Sequence, residues 1–104
     1  MNILESFEYR KWFSSLRDKR AMFRINARIR QIKSHGALFG DVKLIGDGIY
    51  ELRFHFGPGY RVYATLEEGG ILLLLLAGGD KSTQKRDILE AQAIARRWRS
   101  EHGE

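Results

Sequence analysis

The sequence predicts one α+β domain in which two N-terminal helices pack on a twisted, mostly antiparallel sheet and a helix closes the C-terminus. Three observations carry that prediction. Apolar residues recur at helical spacing in two stretches before Gly36 and again between Ile88 and Trp98. Between Asp41 and Ala77 the pattern changes to short, strand-like runs separated by glycine-containing turns. The run Ile71–Ala77 is apolar at every position, which marks a strand buried on both faces. At 104 residues the chain is long enough for a single core and no more.

Residues Asn2–Leu4 open the chain as a short strand. Ser6 can N-cap a first helix, because its hydroxyl can accept from a free backbone N–H of the first turn. Tyr9, Trp12, Phe13 and Leu16 then form its apolar stripe. Asp18 can cap a second helix in which Met22, Ile25, Ile29 and Ile32 repeat at steps of three and four, and Gly36 can end it in the left-handed conformation. The opposite side of this helix carries Arg20, Arg24 and Arg28, a stripe whose like charges repel.

Asp41–Ile45 is the next strand, and Gly46-Asp47-Gly48 is a turn signal. A hairpin follows over Ile49–Leu66, and Glu67-Glu68-Gly69-Gly70 leads into the apolar strand. Gly78-Gly79 reads as a turn with positive φ leaving that strand. Ser82 or Thr83 can cap the last helix, whose stripe is Ile88, Ala91, Ile94, Ala95 and Trp98; Arg96, Arg97 and Arg99 suit its negative end. The order places the helices on one side of the sheet. The other face is expected to be open and to display Arg53, His55, Arg61 and Tyr63.

Composition narrows the setting. Hydrophobic residues make up 43% of the chain and aromatics 12%, as in a folded globule. There is no cysteine, which excludes disulfides and thiolate metal sites. The N-terminus has charges where a signal peptide would have its apolar core, and no run approaches the ~20 residues of a membrane span. A soluble, cytoplasmic protein with no membrane association is expected. The net charge of +5 is uneven: residues 1–40 hold nine Lys/Arg against three acids, and residues 41–80 hold three against six. A basic chain favours a polyanion or an acidic protein partner.

The hairpin IYELRFHFGPGYRVYATL concentrates the polar chemistry. Alternation sends Tyr50, Leu52, Phe54 and Phe56 to one face with Tyr60, Val62, Ala64 and Leu66. Glu51, Arg53 and His55 share the other with Arg61, Tyr63 and Thr65. If Gly57-Pro58-Gly59 closes a regular hairpin, His55 stands opposite Arg61, Arg53 opposite Tyr63 and Glu51 opposite Thr65. Cross-strand neighbours lie ~5 Å apart, so one patch would hold two guanidiniums, an imidazole and a phenol. Guanidinium forks match phosphate oxygens, a tyrosine can stack on a base, and a histidine can move a proton near neutral pH. Lys81 can lie at the rim. The competing reading is a structural network in which Glu51 neutralises Arg53 or His55 meets Arg61. No phosphate-binding loop, dinucleotide fingerprint, hydrolase triad or zinc pattern is present.

The runs GDVKLIGDGIYELRFHFGPGYRVY and LLLLLAGGDKSTQKRDILEA resemble the RelE/ParE toxin superfamily, and most closely its phage-related addiction-module-killer branch, usually grouped with HigB-type toxins. The resemblance covers nearly the whole chain. It implies a small α+β toxin neutralised by a cognate antitoxin, expected to carry a helix-turn-helix DNA-binding domain. It also implies ribosome-dependent cleavage of mRNA, with no metal or other cofactor, by attack of a ribose 2′-hydroxyl on the adjacent phosphate.

By that resemblance Arg61 falls where the family keeps a phosphate-stabilising arginine, and Arg53 matches a second basic strand position. Lys81 occupies the region of a basic or histidine acid, and Lys43 corresponds to a basic residue on the preceding strand. His55 as base and Tyr63 as a substrate contact come from the hairpin pattern alone, and Arg20, Arg24 and Arg28, as substrate-binding candidates, would steer the protein to ribosomal RNA. The pattern supplies no inherited general base. Two alternatives stay open: a gyrase inhibitor of the ParE kind, and an inactive binding module retained through its antitoxin complex.

Overall fold

The computed structural model describes residues 1–103. Strand β1 (Asn2–Glu5) is followed by helices α1 (Phe7–Ser15) and α2 (Lys19–His35), strands β2 (Val42–Gly46), β3 (Ile49–Arg53), β4 (Tyr60–Glu67) and β5 (Leu72–Asp80), and helix α3 (Gln84–Glu101). The sheet order is β1-β5-β4-β3-β2. Only β1 runs parallel to its neighbour, β5; the other pairs are antiparallel. No described helix is long and apolar enough to cross a membrane.

The helix boundaries follow from capping chemistry. The Ser6 hydroxyl accepts from the Tyr9 N–H at 2.9 Å and donates to the Leu76 carbonyl at 2.6 Å, so it starts α1 and ties it to β5. Asp18 Oδ1 accepts from the Arg20 and Ala21 N–H groups at the start of α2. Gly36, with φ of 76°, ends that helix, and its N–H reaches the Ile32 carbonyl at 2.9 Å. Between β2 and β3, Asp47 and Gly48 both take positive φ, as the two-residue turn of a twisted hairpin requires.

Both faces of the sheet are covered. Tyr9 of α1 and Ile25, Ile29 and Ile32 of α2 pack on Leu52, Val62, Ala64, Leu73 and Leu75. On the opposite face Ala91, Ile94 and Ala95 of α3 pack on Ile49, Tyr63, Leu74, Leu76 and Ala77. Leu72–Ala77 are buried on both sides as expected, each large side chain contributing roughly 1.5–3 kcal/mol. A bulge at Leu76, between the pairs Tyr63–Ala77 and Ala64–Leu75, turns two successive residues toward α3.

The expectation of helices on one side and an open second face is therefore corrected, and the glycine pair explains why. Gly78 and Gly79 are not a turn; they continue β5 opposite Val62 and Arg61 without positive φ. A Cβ on Gly78 would fall 2.2 Å from the Trp12 ring of α1, and one on Gly79 would fall 1.8 Å from the Asp87 carboxylate of α3. Two helices approach the same strand from opposite sides, and only glycine leaves room for both. The chain leaves β5 at Asp80, whose carboxylate caps a short 3-10 turn over Lys81–Thr83 and launches α3 across the second face.

Gly78→Val is expected to lower unfolding stability by about 1–3 kcal/mol, because the Trp12 ring must leave its seat on β5. A urea titration monitored by tryptophan fluorescence reads the shift in midpoint.

Candidate functional site

The β3–β4 connection is longer than the expected three residues. Pairing ends with Arg53 opposite Arg61, and Phe54–Gly59 form the loop. The Phe54 N–H donates to the Tyr60 carbonyl at 3.0 Å, and the Gly59 N–H to the Phe56 carbonyl at 3.0 Å. Glu51 therefore faces Tyr63, and Ile49 faces Thr65. The expected register was displaced by two residues, which changes every partner but keeps every residue on its expected face.

Arg28 of α2 shows what holds the loop away from β4. Its guanidinium donates to the carbonyls of Arg53 at 2.6 Å, Phe39 at 2.9 Å and Asp41 at 2.9 Å, and lies 4.8 Å from the centre of the Phe54 ring. Arg24, one turn earlier, lies 4.7 Å from the centre of the Phe56 ring. The two phenylalanines are drawn onto α2. Arg28 thereby leaves the steering stripe expected from sequence, since its donors are committed to backbone carbonyls; Arg20 and Arg24 remain exposed.

Glu51 is 1% exposed and occupies the centre of the polar face. Its Oε1 lies 3.9 Å from Arg53 Nη1 and its Oε2 3.9 Å from Arg61 Nε. The same Oε2 accepts from the Tyr63 hydroxyl at 3.1 Å and from Gln84 Nε2 at 2.7 Å. Arg61, 6% exposed, donates through Nη1 to the Gly59 and Tyr60 carbonyls, while its buried Nε has no hydrogen-bond partner. Tyr63 is fully buried beneath α3, and burial together with the Glu51 carboxylate pushes its hydroxyl pKa well up. The expected contact of Tyr63 with a base is corrected for that reason: the ring is core.

The outer edge of the face is more open. Asp41, just before β2, accepts from Arg53 Nε at 3.2 Å and makes a short hydrogen bond to His55 Nε2. The His55 hydrogen bond, and then the Arg53 charge, hold the Asp41 carboxyl below the usual carboxylate range. An ionised carboxylate only accepts, so the His55 nitrogen that faces Asp41, Nε2, carries a proton. Lys81 is exposed, and its stem packs over Gly59, where a Cβ would meet it at 3.0 Å. Lys43 pairs with Glu51 across β2 and β3 and is exposed on the edge strand.

The structure thus brings Arg53, Arg61, His55 and Lys81 to one end of the sheet and adds Asp41 and Gln84, which sequence reasoning missed. Asp41 stands 14 residues from His55 and Gln84 stands 33 from Glu51, so no local spacing reveals either pairing.

These features define a class of protein. A free-state variant of Escherichia coli RelE is similar to the chain with a TM-score of 0.66 at 12% identity, over 92% of this chain and 95% of RelE. A chain of the intact E. coli RelBE toxin–antitoxin complex is similar with a TM-score of 0.63 at 12% identity, over 76% and 94%. The architecture is the RelE-like toxin fold, as the hairpin and glycine motifs led one to expect. Residues 11–99 match the phage-derived protein Gp49-like family (DUF891), and the chain belongs to that family. An uncharacterised protein of Haemophilus influenzae is 44% identical over 95 residues, which is 91% of this chain and 93% of the relative.

Removing the Glu51 carboxylate leaves Arg61 buried without its counter-charge. Glu51→Ala is expected to cost about 3–5 kcal/mol in a chemical denaturation, and Glu51→Gln less, because the amide still accepts from Tyr63. Asp41 gives a pH signature. Its carboxyl is depressed in the folded state, so the unfolded chain binds the proton more readily in that range. The contribution is complete above the ordinary carboxylate value and is lost as pH falls through the depressed folded value. Thermal melts of Asp41→Asn between pH 6 and pH 3 should lack that part of the acid loss.

Proposed function

We propose that this protein is the toxin of a type II toxin–antitoxin module, of the HigB-type addiction-module-killer kind, and that it stops translation by cutting mRNA on the ribosome. The observation that carries this reading is the direct opposition of Arg53 and Arg61 on a RelE-type sheet, with His55 and Lys81 at the same end. The E. coli relative is described in complex with its antitoxin. The partner proposed here is likewise a cognate antitoxin, one carrying a helix-turn-helix DNA-binding domain.

In this reading His55 Nδ1 takes the proton of a ribose 2′-hydroxyl, and Asp41 holds the ring in the necessary tautomer. The O2′–P bond forms as the P–O5′ bond breaks. Arg53, with Arg61 behind it, stabilises charge on the phosphorane, and Lys81 protonates the leaving 5′ oxygen. The products are a 2′,3′-cyclic phosphate and a 5′-hydroxyl. Lys43 and the exposed members of the α2 stripe, Arg20 and Arg24, contact phosphates, and no cofactor is called for.

One observation favours a second reading. Glu51 and Asp41 already neutralise the two arginines, and Arg61 is nearly sealed, an arrangement that also suits a non-catalytic gyrase inhibitor. Brief induction separates the two. The nuclease reading expects immediate loss of translation and new RNA ends confined to translated frames, whereas gyrase poisoning expects a DNA-damage response with intact mRNA. Arg53→Ala, chosen because Arg53 is the more accessible arginine, should lower cleavage by at least about a hundredfold. Full cleavage by that variant would overturn its assigned role.

A further inference from the structure

The outer surface of the first turns of α2 is a second place where chemistry collects. Lys19, Arg20, Phe23 and Arg24 line a concavity of about 390 Å³. Their spacings of three and four residues put all four around one stretch of helix surface. Phe23 is 68% exposed, and what sets it apart from other exposed apolar side chains is that cations flank it in the concavity. None of Lys19, Arg20, Arg24 or the neighbouring exposed Arg30 makes an ion pair among the described residues. Asp18, the acid at the start of the helix, is used as the helix cap.

The patch is continuous with the candidate site. Arg24 stacks on Phe56, whose ring centre lies 5.7 Å from that of Tyr60. Tyr60 pairs with Asp80, next to Lys81, and the Lys81 stem covers Gly59. From Phe23 to Lys81 the order is thus a ring, a cation, two rings and a cation: Phe23, Arg24, Phe56, the buried Tyr60 and Lys81.

We infer that Phe23 is a stacking platform, and that Lys19, Arg20 and Arg24 are its phosphate contacts, in a binding site for a single-stranded segment of RNA running toward Lys81. The chemistry selects this ligand. Unpaired cations call for a polyanion, and an exposed ring among them has use for a ligand with flat apolar faces between its charges. A base in a duplex is stacked on both sides and cannot offer its face. A protein partner would need an apolar centre to its footprint, and here a single ring among three cations supplies none. Arg28 is outside the site because its donors are engaged on carbonyls. The inference deepens the nuclease reading by naming where the substrate strand lies, yet binding can be measured without cleavage.

The test is fluorescence anisotropy of the purified chain with a labelled, 2′-deoxy-substituted, uridine-rich oligonucleotide of about ten nucleotides, within the span such sites cover. Phe23→Ala should weaken binding about tenfold or more, and Phe23→Trp should retain it. Arg20→Ala should weaken it and lower the salt dependence by about one counterion. A duplex of equal length should bind more weakly than the single strand. Because Phe23 is exposed, circular dichroism should show an unchanged fold. Binding by Phe23→Ala equal to the parent would overturn the inference, as would displacement of the oligonucleotide by polyglutamate equally from both proteins. Phe23-dependent binding by a chain that cuts nothing on ribosomes would uphold this site and overturn only the nuclease reading.

Discussion

The buried carboxylate of Glu51 is the constraint on which the polar half of the molecule depends. Two guanidiniums in direct register on neighbouring strands repel, and burying one beneath a helix is costly unless a counter-charge is buried with it. Glu51 stands between Arg53 and Arg61 and uses its remaining acceptor capacity on Tyr63 and Gln84. Gln84 is the first residue of α3, so the carboxylate that neutralises the arginines also fastens the start of that helix. Sheet register, helix placement and the electrostatics of the site are thereby coupled through one side chain.

Arg28 plays the corresponding part on the other side of β3. It fastens the 39–41 segment to the end of that strand, which positions Asp41 beside both Arg53 and His55. The consequence is a gradient across the site. Arg61 and Glu51 are enclosed, Arg53 is intermediate, and His55 and Lys81 reach solvent. Groups that would exchange protons lie on the accessible side, and groups that shape the field lie behind them. In the nuclease reading this is a useful order, because a charge-stabilising arginine held in place reorganises little during reaction.

Much of the architecture was legible because local signals agreed with one another. The caps at Ser6 and Asp18, the stop at Gly36, the turn at Asp47-Gly48 and the doubly buried leucine strand are each fixed by a few adjacent residues and a periodicity. The alternation of the hairpin likewise assigned every side chain of β3 and β4 to its correct face, and the RelE-like motifs lay in continuous sequence. The Gly78-Gly79 pair misled because glycine serves both turns and close packing. Its use here follows from Trp12, which is remote from β5 along the chain though packed on it, and from Asp87, eight residues beyond Gly79.

By itself the sequence determined the elements, their order, the two-faced hairpin and the basic character of α2, since these depend on period and composition over a few residues. Tertiary structure alone decided that α3 crosses to the second face, that Tyr63 is core, that Arg28 is a clamp and that Asp41 orients His55. Each of those outcomes is a competition between distant groups for space or for a hydrogen-bond partner. A side chain's neighbours along the chain do not reveal which distant group wins it.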